Sequence, residues 1–274
     1  MPPHRLAGVL GRPVGHSRSP RLHRHWMARH GIAGDYVALE VAPEDLSEVV
    51  AALPKAGFVG VNVTVPHKEA ALALADEATQ RAQAAGAANT LTFREGRVEA
   101  DVTDGWGFLR ALREGAPGWD AEGGGPAVVL GAGGAARAVA MALREAGAPE
   151  VQVLNRTRGR AEALAEGIGG VRVRDWVDAG NAVEEAHVLV NATSLGMAGQ
   201  PPLRVPLDGL HGGQVVVDLV YAPLETRLLR AAREAGAVAV DGLGMLLHQA
   251  VPGFARWWGV TPVVDEELRR AVLA

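Results

Sequence analysis

The chain has 274 residues, 48% hydrophobic and 21% charged, with no cysteine and a formal net charge of −4 at pH 7. That length suits two domains with a sizeable core, the composition excludes disordered and fibrous classes, and the missing thiols exclude disulfide scaffolds, cysteine nucleophiles, iron–sulfur clusters and thiolate zinc sites. The charge balance provides no general basic field for nucleic acid, and no apolar run reaches the roughly 18 residues of a membrane span, so any anion must be held by a local site.

The first residues, Met1-Pro2-Pro3-His4-Arg5, lack the basic and then apolar stretch of a signal peptide, which leads to the expectation of a cytoplasmic protein. Arg5 to Gly11 is a short apolar run, Pro20 to His30 predicts a helix stopped by Gly31, Asp35 to Val41 a strand, and Asp45 to Ala56 a helix ending at Gly57. From Phe58 to Val65, alternation puts Val59, Val61, Val63 and Val65 on one face and Asn62 and Thr64 on the other, near the strand's carboxyl end. Pro66 opens a helix through Lys68 to about Ala75, and two strands follow near Asn89 to Phe93 and Val98 to Val102.

Gly105 to Glu114 predicts a linking helix and Gly115 to Gly125 a loop. A second series of strands begins at Ala127 to Leu130 and continues at Val151 to Leu154, Val171 to Val173, His187 to Val190, Val215 to Leu219 and Val238 to Val240. Strands alternating with helices predict a parallel sheet, and the chain ends in helices from Leu243 to Trp258 and Val264 to Leu273.

Gly131-Ala132-Gly133-Gly134-Ala135-Ala136 follows an apolar strand and opens a helix. In that setting the glycines allow a tight turn and close approach of a pyrophosphate to the helix N-terminal amides, with Ala136 small enough for close helix packing. The next strand ends in Asn155-Arg156-Thr157-Arg158-Gly159-Arg160, where an NAD-binding unit would present an acidic residue. Two readings fit this loop: a solvated basic turn, or a clamp in which Arg156 stacks on adenine while Thr157 and Arg160 bond a 2′-phosphate, as NADP requires.

Polar candidates in the first hundred residues are Ser17 and Ser19 in a Gly/Pro-rich loop, Asn62 and Thr64 leading to Lys68, and Asn89 and Asp104 at further strand ends. Each has a plain alternative: Ser19 or Asp104 as a helix cap, Asn89 as a turn residue. Together they offer hydroxyl, amide, ammonium and carboxylate groups suited to a small polyhydroxylated acid. Only Lys55 and Lys68 among the 27 Lys and Arg residues are lysine. Lys68 is therefore a candidate for proton chemistry that a guanidinium serves poorly, with chance as the competing account. None of the nine histidines stands in HExxH or another ligand spacing, His67 reads as helix-start structure, and no metal is expected.

The stretches GRPVGHSRSP (11–20), NVTVPHK (62–68), AANTL (87–91), TDGWG (103–107), GAGGAAR (131–137), NRT (155–157), NATSLGM (191–197) and DGLGMLLHQA (241–250) closely resemble the shikimate dehydrogenase family, in family order and over almost the whole chain. The resemblance implies an α/β fold with a substrate-binding catalytic domain formed by residues 1–105 and the returning C-terminal helices of 241–274, and a Rossmann-like NADP-binding domain at 106–240. It implies reversible NADPH-dependent reduction of 3-dehydroshikimate to shikimate in aromatic amino-acid (chorismate) biosynthesis, with a small-molecule substrate, no nucleic acid or membrane partner, and room for a homodimer. By the same resemblance, Ser17, Ser19 and Tyr221 hold the substrate carboxylate, Thr64, Asn89 and Gln249 bond its hydroxyls, and Lys68 and Asp104 flank the reacting oxygen. Gly131, Ala132, Gly133, Gly134, Ala135, Asn155, Arg156, Thr157 and Arg160 hold the cofactor, and Thr193, Leu195, Gly242 and Met245 shape its nicotinamide side. The sequence departs from the family pattern at Ala222 and Arg24, where asparagine is frequent. A quinate/shikimate dehydrogenase using NAD or either cofactor, or a non-catalytic dinucleotide sensor, is the alternative; Arg156 opposes the first, and Lys68 with Asp104 the second.

Overall fold

The computed structural model describes residues 4–274 and divides them into two compact units, one formed by residues up to Thr103 together with Gln249–Ala274, the other by Asp104–His248. The sequence pattern put the two crossings near Gly105 and Asp241; the contacts put them at Asp104 and between His248 and Gln249.

The first unit contains β1 (Arg5–Gly11), α1 (Ser19–Arg29), β2 (Gly34–Glu40), α2 (Leu46–Ala52), β3 (Phe58–Val63), α3 (Lys68–Ala73), β4 (Glu77–Ala78), α4 (Gln80–Ala85), β5 (Thr90–Arg94) and β6 (Arg97–Asp101). Its six-stranded sheet has the order β2-β1-β3-β5-β6-β4 and is mixed, since β1 pairs in parallel with β2 and β3 whereas β5 is antiparallel to both β3 and β6. β5 and β6 are joined by a tight turn at Glu95 and Gly96, both at positive φ, the geometry that matches the twist of two adjoining strands. The helix expected over Asp45 to Ala56 is shorter than its pattern: Pro43–Asp45 and Leu53–Ala56 are 3-10 turns around α2, the second containing Pro54, whose missing amide cannot continue an α-helix. Leu10, Leu46, Val61, Val63, Leu91 and Ala100 form the core of one face.

The second unit runs through α5 (Asp104–Gly115), β7 (Ala127–Leu130), α6 (Gly134–Glu145), β8 (Val151–Leu154), α7 (Arg158–Ile168), β9 (Val171–Arg174), α8 (Ala179–Glu185), β10 (Val188–Asn191), β11 (Val215–Asp218), α9 (Arg227–Glu234) and β12 (Val238–Val240). Two helices follow, α10 (Gly242–Trp258) and α11 (Glu266–Leu273), with Gln249 and everything after it belonging to the first unit. The sheet order is β12-β11-β10-β7-β8-β9, all parallel, so the chain winds outward from β7 in one direction and then from β10 in the other. β7, β8, β10 and β11 are buried throughout, as expected for parallel strands covered on both faces. Ligands of such sheets bind beyond the strand carboxyl ends where the winding reverses, here between β7 and β10. Among the described residues no helix is long and apolar enough to cross a membrane.

Candidate active site

In the first unit the sequence-predicted polar residues gather at strand and helix ends. Ser17 donates its amide to Val14 O at 2.9 Å, and its hydroxyl oxygen accepts from the Ser19 amide at 3.3 Å. Ser17 rather than Ser19 thus satisfies an amide at the start of α1, and the buried Ser19 is the first helical residue rather than the cap. Arg24, one of the two departures from the family pattern, pairs on the surface with Asp35 at 2.6 Å.

Thr64 follows β3 and is anchored through its amide to Leu10 O at 2.8 Å. Gly11 makes room for it: a Cβ there would lie 2.4 Å from Thr64 Cγ2. His67 is buried at the cap position of α3 and bonds Val41 O through Nε2 at 2.8 Å; a carbonyl only accepts, so Nε2 carries the proton. Lys68 opens α3, half-buried, and its carbonyl accepts from the Ala88 amide at 2.8 Å, which ties this helix start to the segment entering Asn89.

Asn62, Thr90, Asn89, Thr103 and Gln249 form one buried, directional network. Tyr36 Oη donates to Asn62 Oδ1 at 2.8 Å, Asn62 Nδ2 donates to Thr90 Oγ1 at 3.2 Å, and Thr90 Oγ1 donates to Asn89 Oδ1 at 3.1 Å. Asn89 Nδ2 then donates to Thr103 Oγ1 at 3.0 Å and Gln249 Oε1 at 3.2 Å, while Thr103 Oγ1 donates to Gln249 O at 2.8 Å. The Thr103 amide closes the ring on Asn89 Oδ1 at 2.9 Å. Asn62, which shares a strand face with Thr64, therefore faces protein partners. Thr103, fully buried, is a component that the sequence pattern did not single out.

In the second unit Asp104 opens α5 and is buried, where the exposed amides of a helix start favour a carboxylate. Gly131 follows β7 at φ +116°, a conformation only glycine adopts readily, and a Cβ there would lie 3.0 Å from Ala192 O and 3.1 Å from Thr193 Cγ2. The turn therefore passes directly beside the end of β10, at the reversal point. Gly133 caps the twelve-residue α6, Gly133 and Gly134 are exposed, Ala132 and Ala135 are half-buried, and Ala136 is fully buried against the sheet. Such a bare helix start fits a pyrophosphate.

Beyond β8, Asn155 Nδ2 holds Thr157 O at 2.8 Å and so shapes the arginine loop. Arg158 is engaged by Glu162 at 2.7 Å and by Asp175. Arg156 and Arg160 are exposed, and among the described residues neither guanidinium has an acidic or hydrogen-bonding partner. The Arg156 and Arg160 guanidinium groups are thus open to an anionic ligand such as a 2′-phosphate.

After β10, Asn191 Oδ1 accepts from Thr193 N at 3.1 Å and Thr193 Oγ1 at 2.7 Å, and Thr193 Oγ1 accepts from Leu195 N at 3.1 Å. Asn191 Nδ2 donates to Asp218 Oδ1 at 2.9 Å. Asp218 also accepts from Val220 N at 3.0 Å and Thr226 Oγ1 at 2.6 Å; burial pushes its carboxyl up, against the pull of these bonds. Gly242 packs so closely that a Cβ would lie 2.3 Å from Leu219 O, Met245 is half-buried against the apolar core, and Tyr221 is half-buried three residues beyond Asp218. Asn191 and Asp218 had a readable signal, since β10 and β11 each run three apolar residues and then one polar residue at the carboxyl end.

An all-parallel doubly wound sheet with a glycine turn at its reversal point, joined to a second α/β unit that carries a network of polar side chains, defines the class of nicotinamide dinucleotide-dependent dehydrogenases. Family models match two stretches, the shikimate dehydrogenase substrate binding domain at residues 9–91 and shikimate / quinate 5-dehydrogenase at 123–197. Shikimate dehydrogenase (NADP(+)) of Ruegeria sp. (strain TM1040) is 58% identical over 270 residues, covering 98% of each chain. Among solved structures, shikimate 5-dehydrogenase from Thermus thermophilus in complex with NADP(H) and shikimate matches with a TM-score of 0.87 and 42% identity over 98% of both chains. Quinate dehydrogenase from Corynebacterium glutamicum in complex with NAD matches with a TM-score of 0.91 and 34% identity over 98% of this chain and 99% of that one. The chain belongs to the shikimate dehydrogenase family.

Proposed function

We propose that this chain catalyses the reversible NADPH-dependent reduction of 3-dehydroshikimate to shikimate. The observation that carries the reading is the 58% identity, over nearly the full length of both chains, to a shikimate dehydrogenase (NADP(+)). The preference for NADP over NAD rests on Arg156 and Arg160, whose guanidinium groups stand without acidic partners among the described residues, where an NAD enzyme would place a carboxylate.

The glycine turn from Gly131 to Ala135 and the loop from Asn155 to Arg160 hold the dinucleotide, and Thr193, Leu195, Gly242 and Met245 form the wall on its nicotinamide side. When bound, the reduced cofactor supplies a hydride. Ser17, Ser19 and Tyr221 donate hydroxyl hydrogen bonds to the substrate carboxylate, and Thr64, Asn89 and Gln249 bond its ring hydroxyls. As the substrate carbonyl carbon gains the hydride, its oxygen gains negative charge; the Lys68 ammonium stabilises that charge and delivers a proton to the same oxygen. By the family resemblance, Asp104 shares the hydrogen bonding of the hydroxyl that results. In the reverse direction neutral Lys68 takes the hydroxyl proton.

The test is a steady-state assay of shikimate and quinate oxidation, each with NADP and with NAD. The expected result is the highest kcat/KM for shikimate with NADP. Faster turnover of quinate, or a preference for NAD, would overturn the substrate or the cofactor assignment separately.

A further inference from the structure

Asp218 lies at the carboxyl end of β11, 1% exposed, directly opposite Asn191 in the β10–β11 register. Its described partners, Asn191 Nδ2, Val220 N and Thr226 Oγ1, are all neutral donors. A buried carboxylate without a cation costs stability, so its presence calls for a reason other than holding the sheet together.

That reason lies in the orientation of one amide. An ionised carboxylate only accepts hydrogen bonds, so Asn191 must turn Nδ2 toward Asp218, which also aims Nδ2 at Leu195 O, 3.2 Å away. Its Oδ1 is thereby fixed on the other side, where it accepts from both the amide and the hydroxyl of Thr193. Reversing the amide would set the Asn191 carbonyl oxygen against the carboxylate and its NH2 group against the Thr193 amide, breaking every one of these bonds. As an acceptor at this position, Asp218 therefore holds the one arrangement of the loop that carries Thr193 and Leu195 in which all of these bonds are made. The same carboxylate fixes, through Val220 N, the start of the turn that carries Tyr221, and Ala198 N bonds Ala222 O at 2.7 Å to tie the two segments together.

We propose that Asp218 is a positioning residue for the nicotinamide-side wall, acting through Asn191 on Thr193 and Leu195. The proposal rests on the cofactor reading above. It separates the two halves of the dinucleotide: the adenosine 2′-phosphate end is held by Arg156 and Arg160 beyond β8, remote in the sheet order from β11, whereas the nicotinamide end meets the loop that Asp218 organises.

The experiment is calorimetric titration of the full chain with NADPH and, separately, with 2′,5′-ADP, which carries the 2′-phosphate but no nicotinamide. Asp218→Ala is expected to weaken NADPH by about tenfold or more while shifting 2′,5′-ADP by less than about twofold. Asp218→Asn is expected to restore most of the NADPH affinity, because its carbonyl oxygen can accept from Asn191 and Val220 while its NH2 group donates to Thr226 Oγ1. Asn191→Ala leaves the bonds of Asp218 to Val220 and Thr226 in place and should reproduce the same split, which keeps the proposal testable if Asp218→Ala does not fold. Equal loss of both ligands, or no loss of either, overturns the proposal. Wild-type protein that binds neither ligand overturns the cofactor reading and the proposal with it.

Discussion

Asn89 donates from Nδ2 to Gln249 Oε1 at 3.2 Å, although 160 residues separate them along the chain. Two side chains assigned to substrate hydroxyls are thus parts of one hydrogen-bonded unit, and Thr103 bonds both of them. Thr103→Val keeps the shape but leaves Asn89 Nδ2 short of a buried acceptor, a loss of about 1–3 kcal/mol. The expected outcome is a lower Tm together with a shikimate KM raised by about tenfold and a much smaller change in kcat. Thermal unfolding and steady-state kinetics on the same preparation check this; unchanged KM would remove Thr103 from the positioning of the site.

The arginine loop separates charge engaged in structure from charge open to a ligand. Arg156→Ala with Arg160→Ala should lower kcat/KM for NADP by about 10²-fold or more, since each removes a charge-assisted bond to phosphate, discounted for solvent exposure. NAD kinetics should hardly move. Arg158→Ala is the internal control, because that guanidinium is already taken by Glu162 and Asp175. Equal losses for both cofactors in the double variant would contradict the 2′-phosphate assignment.

His23 gives a pH signature to folding. It is fully buried, stacked on the Tyr36 ring at 3.9 Å with 6° between planes, and burial pulls its imidazole down from 6.5 to about 3. Between those values the unfolded chain binds a proton that the folded chain refuses, so stability falls as pH falls from 6.5 toward 3, with a limiting slope of about 1.4 kcal/mol per pH unit. Below the folded value both states are protonated and this contribution levels off. His23→Phe carries no such proton. Urea midpoints measured from pH 7 to pH 4 should therefore decline less steeply in the variant than in the wild type, whatever constant offset the larger ring introduces; parallel declines would refute the assignment.

What could be read in advance follows from the range of the forces involved. The parallel sheet of the second unit was legible because most of its strands are short, largely apolar runs, and because a turn such as Gly131 to Gly134 encodes its own geometry locally. The mixed sheet of the first unit was less so. β4 and α4, between Glu77 and Ala85, fall in an alanine-rich stretch with no clear period, and the β5–β6 turn depends on Glu95 taking positive φ, which glutamate does not announce. Candidate polar residues were readable from residue type and strand-end position. Their partners were not: the network from Asn62 to Gln249 exists only because β3 and β5 pair with Asn62 opposite Thr90, and that register is set by nonlocal packing.

Lys68 opens α3, half-buried, in a chain where only Lys55 is also lysine. An arginine there would supply the same charge to the developing oxyanion, but guanidinium stays protonated in proteins and cannot donate its proton at a useful rate, whereas an ammonium can. Lys68→Ala and Lys68→Arg should therefore both lower kcat by about 10²–10⁴ while changing the shikimate KM much less, because the lost interaction belongs to the transition state. Asp104→Asn is expected to cost a comparable factor. Groups that act as a unit are not additive, so combining Lys68→Ala with Asp104→Asn should cost far less than the product of the single losses. Single-turnover kinetics with saturating shikimate and NADP isolates the chemical step. A kcat near wild type in Lys68→Arg would leave Lys68 as a point of charge and assign the proton to another group.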